Sequence, residues 1–198
     1  MLKRVGGIFV VAMLASFAVP AYAHNEASEA GGVIAGLSHP FLGVDHMLAM
    51  IAVGVWGAFL GRPLVILLPM VFPVMMTVGA ALAMAAVPFP PVELGVAVSV
   101  IGLGILILTA ARPSPAVSCA VVAIFALFHG YAHGSELPAT ADPVGYSVGF
   151  VLATGLLHLG GIGLGFLKGL RFGEVVLRTA GAAMAAAGVM FLIGGLPQ

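Results

Sequence analysis

Long apolar stretches, broken by short polar or proline-bearing segments, run through nearly the whole chain. Beyond residue 32 they cover residues 33–60, 64–87, 92–111, 116–133, 145–167 and 175–194. The interruptions fall at Gly61-Arg62-Pro63, 88–91, 112–115, 134–143 and 168–174. Each apolar segment is near the roughly 20 residues that a helix needs to cross about 30 Å of hydrocarbon. The period-two alternation of a barrel strand is absent, so backbone groups in lipid have to be satisfied within helices. The pattern predicts an all-α integral membrane bundle of six transmembrane helices.

A further apolar run, from Val5 to Val19, has a different setting. It follows Lys3 and Arg4, is stopped by Pro20, and leads into the small-x-small sequence Ala21-Tyr22-Ala23. That order of charge, apolar run and small residues is what signal peptidase reads, and the run is short for a membrane crossing. The expectation is a cleaved signal peptide over residues 1–23 and a six-helix transmembrane domain over residues 24–198. An uncleaved first helix is the alternative, and it leaves the topology downstream unchanged.

Composition sharpens the class. Hydrophobic residues make up 62% of the 198, with seven basic and seven acidic side chains and a net charge of zero. Soluble domains carry about 45–50% apolar and about 25% charged residues, so this chain lacks the means to build a soluble surface. Without a basic cluster it also lacks the electrostatic footprint of a nucleic-acid binder. The single cysteine, Cys119, excludes an internal disulfide or a cysteine-rich metal site and reads as packing.

The five basic residues after the signal are Arg62, Arg112, Lys168, Arg171 and Arg178, all in or beside the loops after spans one, three and five. The opposite loops carry Glu26, Glu29, Glu93, Glu136 and Asp142 and no Lys or Arg. The positive-inside rule then predicts a multi-pass membrane protein with both mature termini on the outer side. Gly57-x-x-x-Gly61 and Gly161-x-x-x-Gly165 read as helix-packing contacts, and Pro69 and Pro73 predict a kink in span two.

The polar residues inside this apolar background are few and grouped. Span one opens with Ser38-His39-Pro40-Phe41-Leu42-Gly43-Val44-Asp45-His46, and span four ends with Phe128-His129-Gly130-Tyr131-Ala132-His133-Gly134-Ser135-Glu136. His158 stands near the middle of span five. On a continuous helix, His39 and His46 share nearly one face about 10 Å apart. His129 and His133, at i and i+4, form a stripe with Glu136, and Asp45 adjoins His46 as its hydrogen-bond partner or as an oxygen ligand. In the predicted topology both motifs approach the outer face. His39, Asp45, His46, His129, His133 and Glu136 then line a funnel that leads toward His158 at mid-membrane.

Ionisable groups at such depth cost roughly 2.5–3.5 kcal/mol each on insertion scales and normally mark an ion or substrate path. Blander readings exist for single residues: His39 and Glu136 in the headgroup region, His158 in one helix–helix hydrogen bond, Met50 in packing. Imidazole with carboxylate suits nickel, cobalt, zinc or copper(II) rather than calcium or magnesium. All seven residues, His39, Asp45, His46, His129, His133, Glu136 and His158, are therefore candidate metal ligands.

The His39-x5-Asp45-His46 motif and the segment from Phe128 to Glu136 resemble the two signatures of the HupE/UreJ family of nickel/cobalt transporters. The stretch Gly149-Phe150-Val151-Leu152-Ala153-Thr154, leading to Leu157-His158, is similar to a third recurring stretch of that family. The likeness covers essentially the whole chain. It implies secondary permeation of Ni²⁺ or Co²⁺ into the cytoplasm, with His39, Asp45, His46, His129, His133 and Glu136 as functional residues and the metal as substrate, not cofactor. The expected partners are a divalent metal ion and the lipid bilayer; a homo-oligomer or an accessory metal-delivery protein is compatible with the chain. No Gly-x-x-x-x-Gly-Lys-Ser/Thr loop is present for direct use of ATP. The rival readings are an intramembrane zinc hydrolase with Glu136 as base, which lacks His-Glu-x-x-His, and a bis-histidine haem protein.

Overall fold

The computed structural model describes residues 32–137 and 142–194. The expected signal peptide and cleavage site, residues 1–23, lie outside them. The described residues form helices and no strands: α1 (Val33–Leu42), α2 (Val44–Leu60), α3 (Leu64–Met84), α4 (Val92–Leu108), α5 (Pro115–Glu136), α6 (Pro143–Gly165) and α7 (Gly173–Leu192), with a 3₁₀ turn at Phe166–Gly169. Four helices, α3, α5, α6 with its 3₁₀ extension, and α7, are long and apolar enough to cross a membrane. The count is five if α1 and α2 together make one span, while α4 has 17 residues.

Local chemistry sets several of the helix ends. Ser114 caps α5, its hydroxyl accepting from the Val117 amide, and Asp142 caps α6 by accepting from Val144. Each cap is followed by a proline at the first helical position, where a missing N–H costs nothing. The helix α3 continues through Pro69 and Pro73 from Leu64 to Met84.

Span one departs from expectation. A single helix over residues 33–60 is replaced by α1 and α2, which meet at 86°. Pro40 lies inside α1, and Gly43, with extended backbone (φ −86, ψ 110), separates the two helices. A proline removes one helical hydrogen bond and a nearby glycine weakens the next turn, so the helix ends here. Asp45 then sits in the first turn of α2, where a negative charge is favoured by the helix dipole.

The middle of the bundle is α2, with 12 of its 17 residues buried. It packs against α1, α3, α4, α6 and α7, while α3 lies along α5 and α4 along α7. A helix apolar all round and buried all round is the expected core of such a bundle. Its approach to α6 is backbone on backbone: a Cβ at Gly54 would run into the His158 carbonyl, and one at Gly161 into the Ile51 carbonyl. Gly165 likewise abuts Ala58. Of the two small-residue motifs, Gly161-x-x-x-Gly165 thus packs as expected. In the other, Gly61 meets nothing and instead ends α2 with φ +78, a conformation that suits glycine.

The basic residues gather at the opposite end of the bundle from the histidine motifs. The Lys168 ammonium donates to the carbonyls of Ala58 and Phe59 near the C-terminal end of α2. Arg178 Nε donates to the Leu108 carbonyl that ends α4 at 2.7 Å, and the Trp56 indole donates to Ala111 at 3.0 Å. Carbonyls that helix ends leave without partners are satisfied by cations there, which the helix dipole also favours.

The glycine contacts predict opposite outcomes for two alanines on α6. Gly161→Ala should lose about 1–3 kcal/mol of stability, the usual cost of overpacking a close contact. Gly155→Ala, with nothing within 4 Å of the new Cβ, should lose none. Thermal unfolding of both variants in detergent checks the pair, and equal loss in both would contradict the packing described.

Candidate metal site

The two histidine motifs come together at one end of the bundle, where α1 and the N-terminal end of α2 face the C-terminal half of α5. His129 and His133 project inward from α5. Both are buried, as are Asp45 and His158. Exposure falls along the group: the Glu136 side chain is 62% exposed, that of His39 35%, and that of His46 12%. A graded descent from a wet rim to a dry interior follows.

The bend at Gly43 changes how the first motif works. His39 and His46 do not share one helix face, because they belong to two helices at 86°. Instead they approach His133 together, with ring centroids 4.8 Å and 4.3 Å away. His46 also meets His129 edge to face at 4.7 Å. At the rim, one ligand atom from each of His39, His133 and Glu136 lies within 4.8 Å of the others, with His39 Nε2 and Glu136 Oε2 3.9 Å apart. His133, in the last turn of α5, adds the negative end of a helix dipole to this corner.

Asp45 acts on His46. One carboxylate oxygen, Oδ1, accepts both the His46 amide and His46 Nδ1, each at 2.7 Å. A carboxylate only accepts, so Nδ1 carries the proton and Nε2 presents its lone pair. That Nε2 is buried without a partner, as are both ring nitrogens of His133. Gly43 makes room for the pair, since a Cβ there would lie 3.1 Å from His46 Nδ1 and 3.2 Å from Asp45 Oδ1. Of the two roles open to Asp45, the geometry favours that of a partner orienting the imidazole.

His158 does not join the cluster. The Phe72 ring packs against both His129, at 5.7 Å, and His158, at 5.3 Å, and is itself wholly buried. Behind it, both nitrogens of His158 and the hydroxyl of Thr154, one turn earlier on α6, are buried without partners. The seven candidates thus divide into six around one corner and one beyond an aromatic partition.

The α5 motif divides its labour by face. Its histidines turn inward. Gly130 and Gly134 bring α5 against α3, where a Cβ would strike the Met76 and Ala80 carbonyls. Tyr131 stacks on Phe89 at 4.6 Å and donates its hydroxyl to Val87 at 2.9 Å, while Phe128 meets Phe89 edge-on. A cavity of about 170 Å³ beside His133, bounded by Met76, Thr77, Tyr146 and Phe150, opens between α3, α5 and α6. Met50 is buried in the apolar core and Cys119 packs against it.

Sequence reasoning missed Phe72, Ser99 and the hydroxyl of Thr154. For Ser99 a signal existed: it is a lone hydroxyl in the middle of the apolar α4, and its Oγ lies 2.7 Å from His129 Nε2. For Phe72 none did, because its value lies wholly in what it separates.

A sequence model of the family described as HupE / UreJ protein matches residues 11–191. Protein HupE of Rhizobium leguminosarum bv. viciae is 42% identical over 186 residues, covering 93% of this chain and 97% of that protein. No solved structure matches. A match over so much of the chain, motifs included, makes this multi-pass membrane protein a member of the HupE/UreJ family.

Proposed function

We propose that the protein is a secondary transporter that admits Ni²⁺ or Co²⁺ across the bacterial inner membrane. In this reading residues 1–23 are a cleaved signal peptide. The bent pair α1–α2 and the 17-residue α4 join the four longer helices as six spans, and both mature termini are periplasmic. The gathering of basic residues at the end opposite the histidines supports that orientation.

The observation that carries the reading is the set of buried imidazole nitrogens without protein partners at His46, His129 and His133, next to the ligand atoms of His39 and Glu136. An unsatisfied buried polar atom costs about 1–3 kcal/mol, and a fold that needed these histidines only for packing gains nothing from several together. A borderline cation that prefers imidazole and carboxylate turns the same arrangement to use. Glu136 and His39 collect the ion at the rim with His133. His46 and His129 then replace its waters, and His158 takes it beyond Phe72. Graded exposure and several alternative donors suit a path that must release its ion as well as bind it. The hydrolase alternative gains no support from this site, since Glu136 is the most exposed of the seven residues.

Uptake of radiolabelled Ni²⁺ and Co²⁺ into proteoliposomes tests the proposal. Time-dependent accumulation is expected for the native protein. His46→Ala and His129→Ala should reduce it by more than the roughly tenfold that losing an outer hydrogen-bond partner typically costs a metal site. Uptake no faster than into empty liposomes would overturn it.

His158→Ala separates the path from the site. Equilibrium Ni²⁺ binding, read by calorimetry, should stay within about twofold of the native value while uptake falls at least about tenfold, as for loss of a polar group lining a permeation path. Native uptake in this variant would remove His158 from the path.

A further inference from the structure

His46 and His129 meet edge to face, yet each is tied by its other side to a different kind of partner. For His46 the partner is the Asp45 carboxylate, which holds the proton on Nδ1 and leaves Nε2 bare. For His129 it is Ser99, on α4, whose Oγ lies 2.7 Å from Nε2.

The serine has one hydroxyl proton, and its use is fixed by its own helix. Ser99 Oγ donates to the Val96 carbonyl at 2.6 Å. With that proton committed, the oxygen has only lone pairs to offer the imidazole, so His129 Nε2 must be the donor. A neutral imidazole protonated on Nε2 is bare on Nδ1. His129 Nδ1 is buried with no hydrogen-bond partner in the protein. Both residues are wholly buried, which removes bulk water as a competitor for either group. As a plain interhelical hydrogen bond the pair explains Nε2 but not the unpartnered Nδ1, which costs about 1–3 kcal/mol.

We propose that Ser99 is a positioning residue of the cation site: it fixes the Nε2–H tautomer of His129 and so makes Nδ1 the atom that meets the ion. The proposal rests on the transport reading above and adds a residue from a helix that carries neither histidine motif. It also gives the pair of imidazoles a direction. A carboxylate partner raises the basicity of the imidazole it holds, and a neutral hydroxyl does so less. His46, on Asp45, is the stronger donor of the two, and His129, on Ser99, is the weaker donor beside Phe72. An ion passing from His46 to His129 moves from firmer to looser ligation, as release toward the interior requires.

The test compares native protein with Ser99→Ala and Ser99→Thr in detergent. Heteronuclear NMR of nitrogen-labelled histidine should report His129 as the Nε2–H tautomer in the native protein and in Ser99→Thr, and a mixture in Ser99→Ala. Ni²⁺ affinity measured by calorimetry should fall about 10–100-fold in Ser99→Ala, the usual effect of removing an outer partner, and return with Ser99→Thr. A native His129 protonated on Nδ1 overturns the proposal, even if Ser99→Ala fails to fold. Native Ni²⁺ affinity in a folded Ser99→Ala overturns it while leaving the transport reading intact. Native protein that neither binds nor transports Ni²⁺ or Co²⁺ overturns the transport reading and this proposal together.

Discussion

Helices in lipid have no hydrophobic reason to prefer one another over acyl chains, so close contact between backbones has to supply the preference. Here that contact is made where glycines meet carbonyls of a neighbouring helix. Gly54 and Gly161 bring α2 and α6 to backbone contact, and Gly130 and Gly134 do the same for α5 against α3. Everything in the polar site depends on these approaches. His129 and His133 reach the bundle interior because the adjoining face of α5 is small enough to press against α3. His158 sits in the interior because α6 is pressed against α2.

Within that frame a single break in helix geometry assembles the cluster. A straight helix over residues 33–60 would string His39 and His46 out along its axis by about 10 Å. Ending α1 at Leu42 and starting α2 at Val44 folds the two histidines onto one imidazole, His133. Gly43 allows the turn and leaves space for the Asp45–His46 pair. Backbone and site chemistry are thus coupled through one residue without a side chain.

Buried polar groups in this bundle fall into two kinds. Some are satisfied: the indole of Trp56, the hydroxyl of Ser99 and the carboxylate of Asp45. Others, the nitrogens of His46, His129, His133 and His158 facing away from any partner, are not. The division is not random. His46 and His129 each have a partner that orients the ring, and the bare nitrogens of His129, His133 and His158 belong to rings packed against Phe72 or Phe150.

The sequence by itself determined the class, the helical segments, the side of the bundle that carries positive charge and six of the residues that meet at one corner. These follow from requirements that each segment meets alone: enough apolar length to cross hydrocarbon, internal backbone hydrogen bonds, and the cost of each ionisable group in lipid. It did not determine that span one is two helices, because Pro40 and Gly43 allow a break without fixing its angle. Nor did it assign Ser99, Thr154 and Phe72 any part. Those roles depend on which helices lie side by side, and a hydrogen bond across 30 residues or a ring placed between two histidines exists only once backbone contacts have chosen the neighbours.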